Sequence, residues 1–331
     1  MKIRLKSIVK LLLLSLFFML NVKCQNNKIS KSVQSDKGAS NNITTIKNND
    51  TLKIIAAGAK LILVSDTFEF TEGPAADKEG NVYFTDQPND RILKWNATNN
   101  TVSDYMKPSG RSNGLYFDNN GNLLSAADEK NELWRINSDK KETVLVRNFE
   151  GEKLNGPNDL WVDTKGGIYF TDPYYQRDWW SHKKPQQKEN SVYYLPPNAD
   201  KPIVVSNDNY VQPNGIIGSV DGKKLYVADQ ADTKTFVFDV QENGNLTNRK
   251  LFTTMGSDGM TIDNKGNIYL TGTDGVTVFN ADGQKIEQIS VPKGWTANVT
   301  FGGKNFDTLF ITALNSVYTL QMNVQGVRYA N

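Results

Sequence analysis

The sequence has little of the two residues that most often build transition-metal sites and acid–base dyads. Its 331 residues include one Cys, Cys24, and one His, His182. One Cys excludes an internal disulfide framework and any cysteine-cluster metal site. One His leaves little room for a Ser-His-Asp triad or a histidine-rich zinc site. If the chain is an enzyme, carboxylates, amides, hydroxyls and a hard metal ion must do its chemistry.

A strong net charge is also missing, because 38 Lys and Arg residues face 36 Asp and Glu residues, a net of +2. Five of the basic residues lie in residues 1–23, which contain no acid, so the remainder carries 33 against 36, a net of −3. From Thr51 onward the balance is 29 against 34, a net of −5. A mildly acidic domain does not present the basic surface that nucleic acid binding requires, so no nucleic acid partner is expected.

The chain begins with the pattern of an export signal. Residues 2–10 carry four basic side chains, and the apolar run Leu11–Leu20 that follows is too short to span a bilayer but suits a signal. Cys24 then favours lipid attachment at a bacterial-type cleavage site, although the small residues usual before such a cysteine are absent. Alternatively, Cys24 leaves with the signal or is an exposed thiol. We predict export to the periplasm or outer cell surface, with membrane contact only through a lipid anchor at Cys24.

The chain divides into three predicted segments. Residues 1–24 are the export signal, with the lipoprotein type as a candidate. Residues 25–52 are polar, rich in Asn and Ser, and almost free of large apolar side chains, which predicts a disordered linker. Residues 53–331 form the folded domain.

One motif occurs six times in the folded part: a tight turn containing Gly, followed by a short strand of apolar and aromatic residues. The copies are DKEGNVYFTD (77–86), DNNGNLLSAAD (118–128), DTKGGIYFTDP (163–173), SVDGKKLYVAD (219–229), DNKGNIYLTG (263–272) and the degenerate GGKNFDTLFIT (302–312). The turn glycines of the first five copies are 41, 45, 56 and 44 residues apart. Such a period is typical of propeller blades. The sequence therefore predicts an all-β fold, a six-bladed β-propeller around a central channel.

Two stretches fall outside the repeats. Lys60–Phe70 has no Gly turn of its own, and we predict that it supplies the outer strand of the last blade, beside Ser316–Met322. The 56-residue interval contains an insertion, Tyr174–Asn190, which we predict to be a loop that forms a lid or rim.

Polar residues gather at the predicted start of each innermost strand, a few residues before its turn. They are Glu72, Asn113, Asn158 with Asp159, Asn214, Asp258 and Asn298. In a propeller these positions face one end of the channel. Neighbouring glycines leave room for a ligand to approach.

In their order and spacing, these segments resemble the SMP-30/gluconolactonase/LRE-like family of calcium-dependent six-bladed propellers. The resemblance runs from about Leu61 to Leu320 and includes TEGPAADKEGNVYFTD, NGPNDLWVDTKGGIYFTDP, QPNGIIGSVDGKKLYVAD and SDGMTIDNKGNIYLTG. The NGPND motif is that of the bacterial, gluconolactonase-like members.

The resemblance implies one divalent cation in the channel, most often Ca²⁺, with Mg²⁺, Mn²⁺ and Zn²⁺ as alternatives. Its protein ligands fall on Glu72, Asn158, Asn214 and Asp258. All four offer oxygen, as a hard cation requires, and two carboxylates neutralise the double positive charge. Without the resemblance, the same four residues are ordinary strand-end and turn residues.

The family's reaction is the opening of a sugar lactone to the aldonic acid. The resemblance implies that the metal polarises the lactone carbonyl and that Asp258 is the catalytic base that activates water. The candidate substrate contacts are Asn158, Asn113 and Arg111, with a surface position as the alternative for Arg111.

The sequence departs from the animal members of the family, which carry an Arg at the position of Gly156, so their sugar contacts are not carried over. The insertion contributes Trp179, Trp180 and His182. Because indole faces stack on sugar rings, the loop is a candidate to shape the pocket. The alternative is an exposed or blade-packed aromatic pair. His182 is expected at the rim rather than as a catalyst.

Two other functions remain open from the sequence. A phosphotriesterase of the diisopropylfluorophosphatase type looks similar and uses almost the same four metal ligands. A surface propeller that binds a sugar or a protein without turnover belongs to a different class. Intact metal ligands favour an enzyme over the binding module.

Overall fold

The computed structural model describes residues 53–327, whose regular secondary structure is β-strand apart from one short 3-10 helix, Gln87–Asn89. The predicted export signal and linker, with Cys24, lie outside the described residues. No helix within residues 53–327 is long and apolar enough to cross a membrane. The first strand, β1 (Ile62–Ser65), precedes the six innermost strands.

Twenty-three further strands complete six antiparallel sheets of four strands each. Blade 1 contains β2 (Thr71–Ala76), β3 (Val82–Asp86), β4 (Arg91–Asn96) and β5 (Thr101–Met106), and blade 2 contains β6 (Ser112–Phe117), β7 (Leu123–Ala127), β8 (Glu132–Ile136) and β9 (Glu142–Val146). Blade 3 contains β10 (Leu160–Val162), β11 (Ile168–Asp172), β12 (Ser191–Leu195) and β13 (Ile203–Ser206), and blade 4 contains β14 (Pro213–Gly218), β15 (Lys224–Asp229), β16 (Lys234–Val240) and β17 (Leu246–Thr253). Blade 5 contains β18 (Met260–Ile262), β19 (Ile268–Gly272), β20 (Gly275–Phe279) and β21 (Lys285–Ile289). Blade 6 contains β22 (Asn298–Gly302), β23 (Thr308–Ala313) and β24 (Ser316–Gln321), with β1 as its fourth strand. The predicted six-bladed propeller is confirmed.

The turn motif ends the innermost strand of a blade and starts the second. In blade 1 the carboxylate of Asp77 accepts hydrogen bonds from the backbone N–H of Glu79 at 3.1 Å and of Asn81 at 2.8 Å. Gly80 adopts φ +83°, and a Cβ there would lie 2.0 Å from the carbonyl oxygen of Gly303. The Asp77 side chain therefore stabilises the turn by hydrogen bonding to its backbone. Gly is required at position 80 because it alone adopts the left-handed backbone conformation and leaves room for the neighbouring blade.

The ring of blades closes where both ends of the described chain meet. Strand β1 pairs antiparallel with β24, with Ile62 opposite Thr319, as the sequence predicts. The hydroxyl of Thr71 adds a bond across the same junction, because it donates to the carbonyl oxygens of Leu314 and Ser316. Closure covers the edge that an open six-sheet array would expose.

Hydroxyl groups on the second strands of blades 1, 3 and 5 bond to the backbone at the start of the next blade. Thr85 on β3 donates to the carbonyl of Asn113 at 3.1 Å, and Thr171 on β11 donates to the carbonyl of Asn214 at 2.8 Å. These bonds are buried, and they fix the backbone of the residues that face the channel.

The innermost strands surround a cavity of about 710 Å³. Its wall is apolar midway, with Ala75, Leu115, Leu160, Ile216 and Met260. It extends from the turn motifs to Asp159 and Asn298 at the other end of the strands. The starts of the innermost strands lie at this end of the channel, and the lining of the cavity includes only Asp159 and Asn298 of the polar residues predicted there.

Candidate metal and substrate site

The starts of the six innermost strands form the polar end of the channel. We call Glu72, Asn113, Asn158, Asp159, Asn214, Asp258 and Asn298 the ring. Six of its members are at least nine-tenths buried, and Asp258 is partly buried. The fold therefore gathers into one place every residue that the sequence proposed as a metal ligand. Their role as ligands stays a prediction.

The Asp258 carboxylate is held by two hydrogen-bond donors, one on strand β14 and one in the loop between β21 and β22. The Asn214 amide Nδ2 donates to Oδ1 at 2.7 Å, and the Trp295 indole Nε1 donates to Oδ2 at 2.7 Å. Burial raises the pKa of Asp258 to about 6, against the lowering effects of Trp295, Asn214 and the charge of Arg177. The carboxylate is therefore fixed in orientation and is a stronger base than an ordinary Asp.

Glu72 and Asp159 share one amide group. Asn298 Nδ2 donates to Glu72 Oε2 at 3.2 Å and to Asp159 Oδ2 at 3.4 Å. Burial and the negative charges of Asp258 and Asp159 hold the pKa of Glu72 well above its ordinary value. Burial raises the pKa of Asp159 to about 7. Three carboxylates therefore lie close enough to repel one another in a dry environment.

Asn113 and Asn158 occupy neighbouring blades with their backbones in contact. The N–H of Gly114 donates to the carbonyl of Asn158 at 2.8 Å. A Cβ on Gly114 would lie 2.3 Å from that carbonyl oxygen, so a glycine is required for the two strand starts to approach.

The residues present fit a hard cation. Within residues 53–327 no group of three or more His, Cys, Asp or Glu side chains stands at metal-binding spacing, so a site here has to mix carboxylates with amides. The amide oxygens of Asn113 and Asn214 are buried without a hydrogen-bond partner. Oxygen is the donor that Ca²⁺ and Mg²⁺ take, and a positive charge would relieve the repulsion among the carboxylates.

Residues 174–190, which we call the strap, connect β11 to β12 without regular secondary structure, as the sequence predicts. Arg177 forms an ion pair with Asp128 on blade 2, with Nε 2.7 Å from Oδ2, and the Trp180 indole donates to the Asp128 carbonyl at 2.7 Å. At its other end, the backbone N–H groups of Gln186 and Gln187 donate to the side-chain oxygen of Asn155. The strap is therefore attached to its own blade and to blade 2.

The strap also contacts the ring. The hydroxyl of Tyr175 accepts a hydrogen bond from Asn214 Nδ2 at 3.1 Å. Burial, with the charge of Asp258, raises the pKa of Tyr175, so its hydroxyl stays protonated. The insertion is thus part of the site's wall.

The two indoles of the strap have different roles. Trp180 is buried against the blade, and a Cβ on Gly156 would lie 2.8 Å from its ring. The indole therefore occupies the space that a longer side chain at position 156 would need, which explains the Gly there. His182 stacks on Trp180 with ring centroids 4.8 Å apart, and burial lowers its pKa. Among residues 53–327, its contacts are with Gln176 and Trp180 of the strap and not with the ring, in keeping with a rim position.

Arg111 lies beside the strap. Its guanidinium is 4.6 Å from the centroid of the Trp179 ring, and its Nη1 donates to the carbonyl of Pro88 at 2.8 Å. Of the three candidate substrate contacts, Asn113 and Asn158 belong to the ring, whereas Arg111 lies against Trp179 of the strap.

Several site residues were not proposed as functional from the sequence. They are Asp159, Asn298, Tyr175, Arg177, Trp295 and Asp128. Asp159 and Asn298 stand at strand starts, where the repeat pattern carried a signal. Tyr175 and Trp295 contact the ring from loops that do not repeat, and Arg177 lies beside Tyr175. Asp128 is the last residue of the second repeat copy, and it contacts the strap rather than the ring.

We expect Asp128→Asn to loosen the strap while the propeller stays folded. The amide cannot neutralise Arg177, and an unpaired buried group costs about 1–3 kcal/mol. Hydrogen exchange followed by mass spectrometry should show faster exchange of the amides of residues 174–190. Asp104→Asn is the control, because it removes an exposed ion pair to Arg91 at 3.1 Å. Unchanged exchange of the strap in both variants would contradict the anchoring role of Asp128.

Fold and site together define a six-bladed propeller with a channel end of carboxylates and amides. Residues 70–315 match the family model described as the SMP-30/Gluconolactonase/LRE-like region, and the chain belongs to this family. It is 28% identical over 303 residues to a gluconolactonase from Zymomonas mobilis, with 82% of this chain and 84% of the relative covered.

Two further similarities bear on function. The chain is 25% identical over 278 residues to the diisopropyl-fluorophosphatase of Loligo vulgaris, with 75% of this chain and 87% of the relative covered. Among solved structures it resembles a gluconolactonase from Xanthomonas campestris with a TM-score of 0.75 and 28% identity, covering 82% of this chain and 91% of that one.

Proposed function

We propose that the protein is a metal-dependent lactonase that hydrolyses sugar lactones to aldonic acids. The observation that carries this proposal is the Asp258 carboxylate, oriented by Asn214 and Trp295 at the acidic end of the channel. Membership of a family that contains gluconolactonases supports the reaction class.

The proposed cation site comprises Glu72, Asn158, Asn214 and Asp258, with Ca²⁺ as the first candidate. These residues offer two carboxylates and two neutral amides. The unpartnered oxygen of Asn214 is ready to bind a cation, since its amide nitrogen is already committed to Asp258 and Tyr175. When bound, a divalent cation would polarise the lactone carbonyl and stabilise the negative charge that develops on its oxygen.

Asp258 has the central role among the protein groups. It removes a proton from a water molecule as that water attacks the lactone carbonyl carbon. The ring C–O bond of the tetrahedral intermediate then breaks, and the proton is returned to the departing alkoxide, so the product is an open hydroxy acid. The hydrogen bonds from Asn214 and Trp295 hold the carboxylate in a fixed orientation during both proton transfers.

Asn158 and Asn113 are proposed substrate contacts. Both stand on the ring, and the side-chain oxygen of Asn113 is buried without a partner. A sugar hydroxyl can donate to it, which would satisfy an acceptor that is otherwise costly to bury.

The direct test is acid release from a panel of sugar lactones by metal-loaded protein, beside a phosphotriester such as diisopropyl fluorophosphate. We expect lactone hydrolysis well above the buffer blank and slower or no release from the phosphotriester. If only the phosphotriester is hydrolysed, the proposed lactonase function is wrong and the protein is a phosphotriesterase. No turnover of either class would support a binding propeller without catalysis.

A further inference from the structure

Two arginines flank one indole of the strap. The guanidinium of Arg111 lies 4.6 Å from the centroid of the Trp179 ring, and the guanidinium of Arg177 lies 5.8 Å from it. Arg177 is also 5.5 Å from the ring centroid of Tyr175, whose hydroxyl contacts Asn214. The positive charge of Arg177 acts on Asp258 itself, because it lowers the pKa of that carboxyl. Arg177 therefore lies beside the ring, and Arg111 lies beside Trp179 of the strap.

The hydrogen-bonding capacity of these side chains is largely unused. Arg111 forms no ion pair with any residue in 53–327, and its Nε is buried without a partner. The indole Nε1 of Trp179 is likewise buried without an acceptor. Arg177 uses only Nε, toward Asp128, among the described residues. Buried N–H groups without acceptors are costly, so this cluster is suited to a ligand that brings acceptor oxygens.

The charges of the site are also separated. Glu72, Asp159 and Asp258 make the ring acidic, whereas the strap side carries Arg111 without an ion pair among the described residues and Arg177 paired with Asp128. A neutral lactone would be bound by the polar residues of the ring and the proposed cation alone. A lactone with a second, ionised group has a complementary partner for that group, because the guanidinium fork matches the geometry of carboxylate and phosphate oxygens.

We propose that Arg111, Arg177 and Trp179 form an anion subsite, and that the substrates are lactones that carry a second anionic group. This inference rests on the proposed lactonase function. The shared chemistry is an oxyanion away from the lactone carbonyl, supplied either by a carboxylate or by a phosphate.

The kinetic test uses metal-loaded protein and three lactones: neutral glucono-1,5-lactone, glucaro-1,4-lactone with a carboxylate, and 6-phosphoglucono-1,5-lactone with a phosphate. At least one anionic lactone should exceed the neutral one in kcat/KM by about 10- to 100-fold, as a charged hydrogen-bonded pair predicts. Which of the two is preferred identifies the source of the oxyanion. Arg111→Gln should remove this advantage, because kcat/KM for the anionic lactone should fall about 10- to 100-fold further than kcat/KM for the neutral lactone.

Two further variants make the test specific. Arg111→Lys keeps the charge without the fork and should give an intermediate kcat/KM for the anionic lactone. Arg249→Gln is the matched control, because its guanidinium also stacks on an aromatic ring, 3.7 Å from the Phe236 centroid, on blade 4. It should leave the preference unchanged. A preference for the neutral lactone, or equal losses on all three lactones in Arg111→Gln, would overturn the proposal.

Binding measurements distinguish a wrong anion subsite from a wrong lactonase function. If no lactone is opened, the proposed function fails, and calorimetric titration with glucarate and gluconate then decides the subsite. Glucarate binding about tenfold tighter than gluconate, with the difference lost in Arg111→Gln, supports it. Equal binding of the two acids by the wild-type protein overturns it.

Discussion

Asp258→Asn is expected to lower kcat/KM for lactone hydrolysis by about a thousandfold, the scale of a lost general base. The amide cannot accept a proton from water. It also cannot accept from both Asn214 and Trp295 as the carboxylate does at 2.7 Å, so one donor is left facing an N–H group. Initial rates of acid release, measured by a pH indicator and corrected for spontaneous ring opening, check the effect.

The matched control for this variant is Asp104→Asn, an identical chemical change at an exposed position on β5. It should retain the wild-type rate and melting temperature. Circular dichroism and melting of Asp258→Asn verify that the propeller is intact. A folded Asp258→Asn protein with more than about a tenth of the wild-type rate would exclude Asp258 as the base.

Removal of the metal is expected to lower the melting temperature by roughly 5–10 °C. A cation at about a hundredfold excess over its Kd stabilises the folded state by about 2.7 kcal/mol, which corresponds to this shift for a domain of this size. The physical cause is the repulsion among the buried carboxylates of Glu72, Asp159 and Asp258 when nothing neutralises them. Scanning calorimetry with and without chelator gives the shift.

Glu72→Gln tests the cause of that shift. Because it removes one of the three charges, the metal-free variant should melt above the metal-free wild type and should not respond to added Ca²⁺. Glu79→Gln is the control, since Glu79 is exposed in the blade 1 turn. If chelator leaves the wild-type melting temperature unchanged, the proposed cation site is wrong.

The propeller could be predicted from the sequence because its signals are local and repeated. Each turn combines an Asp side chain that closes it with a Gly that adopts positive φ, as at Asp77 and Gly80. The closing strand could also be predicted, because Ile62–Ser65 had no turn of its own and the last blade lacked a strand.

The site was only partly predictable. Glu72, Asn214 and Asp258 follow from the register of the innermost strands, since each stands at the start of its repeat. Trp295 and Tyr175 come from loops without a repeat, and their contacts with the ring depend on the path of the chain through space. The resemblance to a family assigned roles to Glu72, Asn214 and Asp258. It gave no role to Trp295 or Tyr175.

The strap changes the surroundings of position 156 in a way that the repeat pattern does not indicate. From the sequence, the sugar contacts of the animal family members are not expected here, because those members carry an Arg where this chain has Gly156. In the structure the Trp180 ring fills the space beside Gly156, and the positive charge near Asp258 comes from Arg177 of the strap. Only the packing of an irregular loop reveals this replacement.

The most direct measurement is a titration of Ca²⁺ into metal-free protein, with bound metal and the rate of lactone hydrolysis followed together. The proposed function predicts a rate equal to the buffer blank without metal, rising to a plateau as the single site fills, and no rise in Asp258→Asn. Full activity in protein shown to be metal-free, or a filled site that gives no hydrolysis of any lactone, would contradict it.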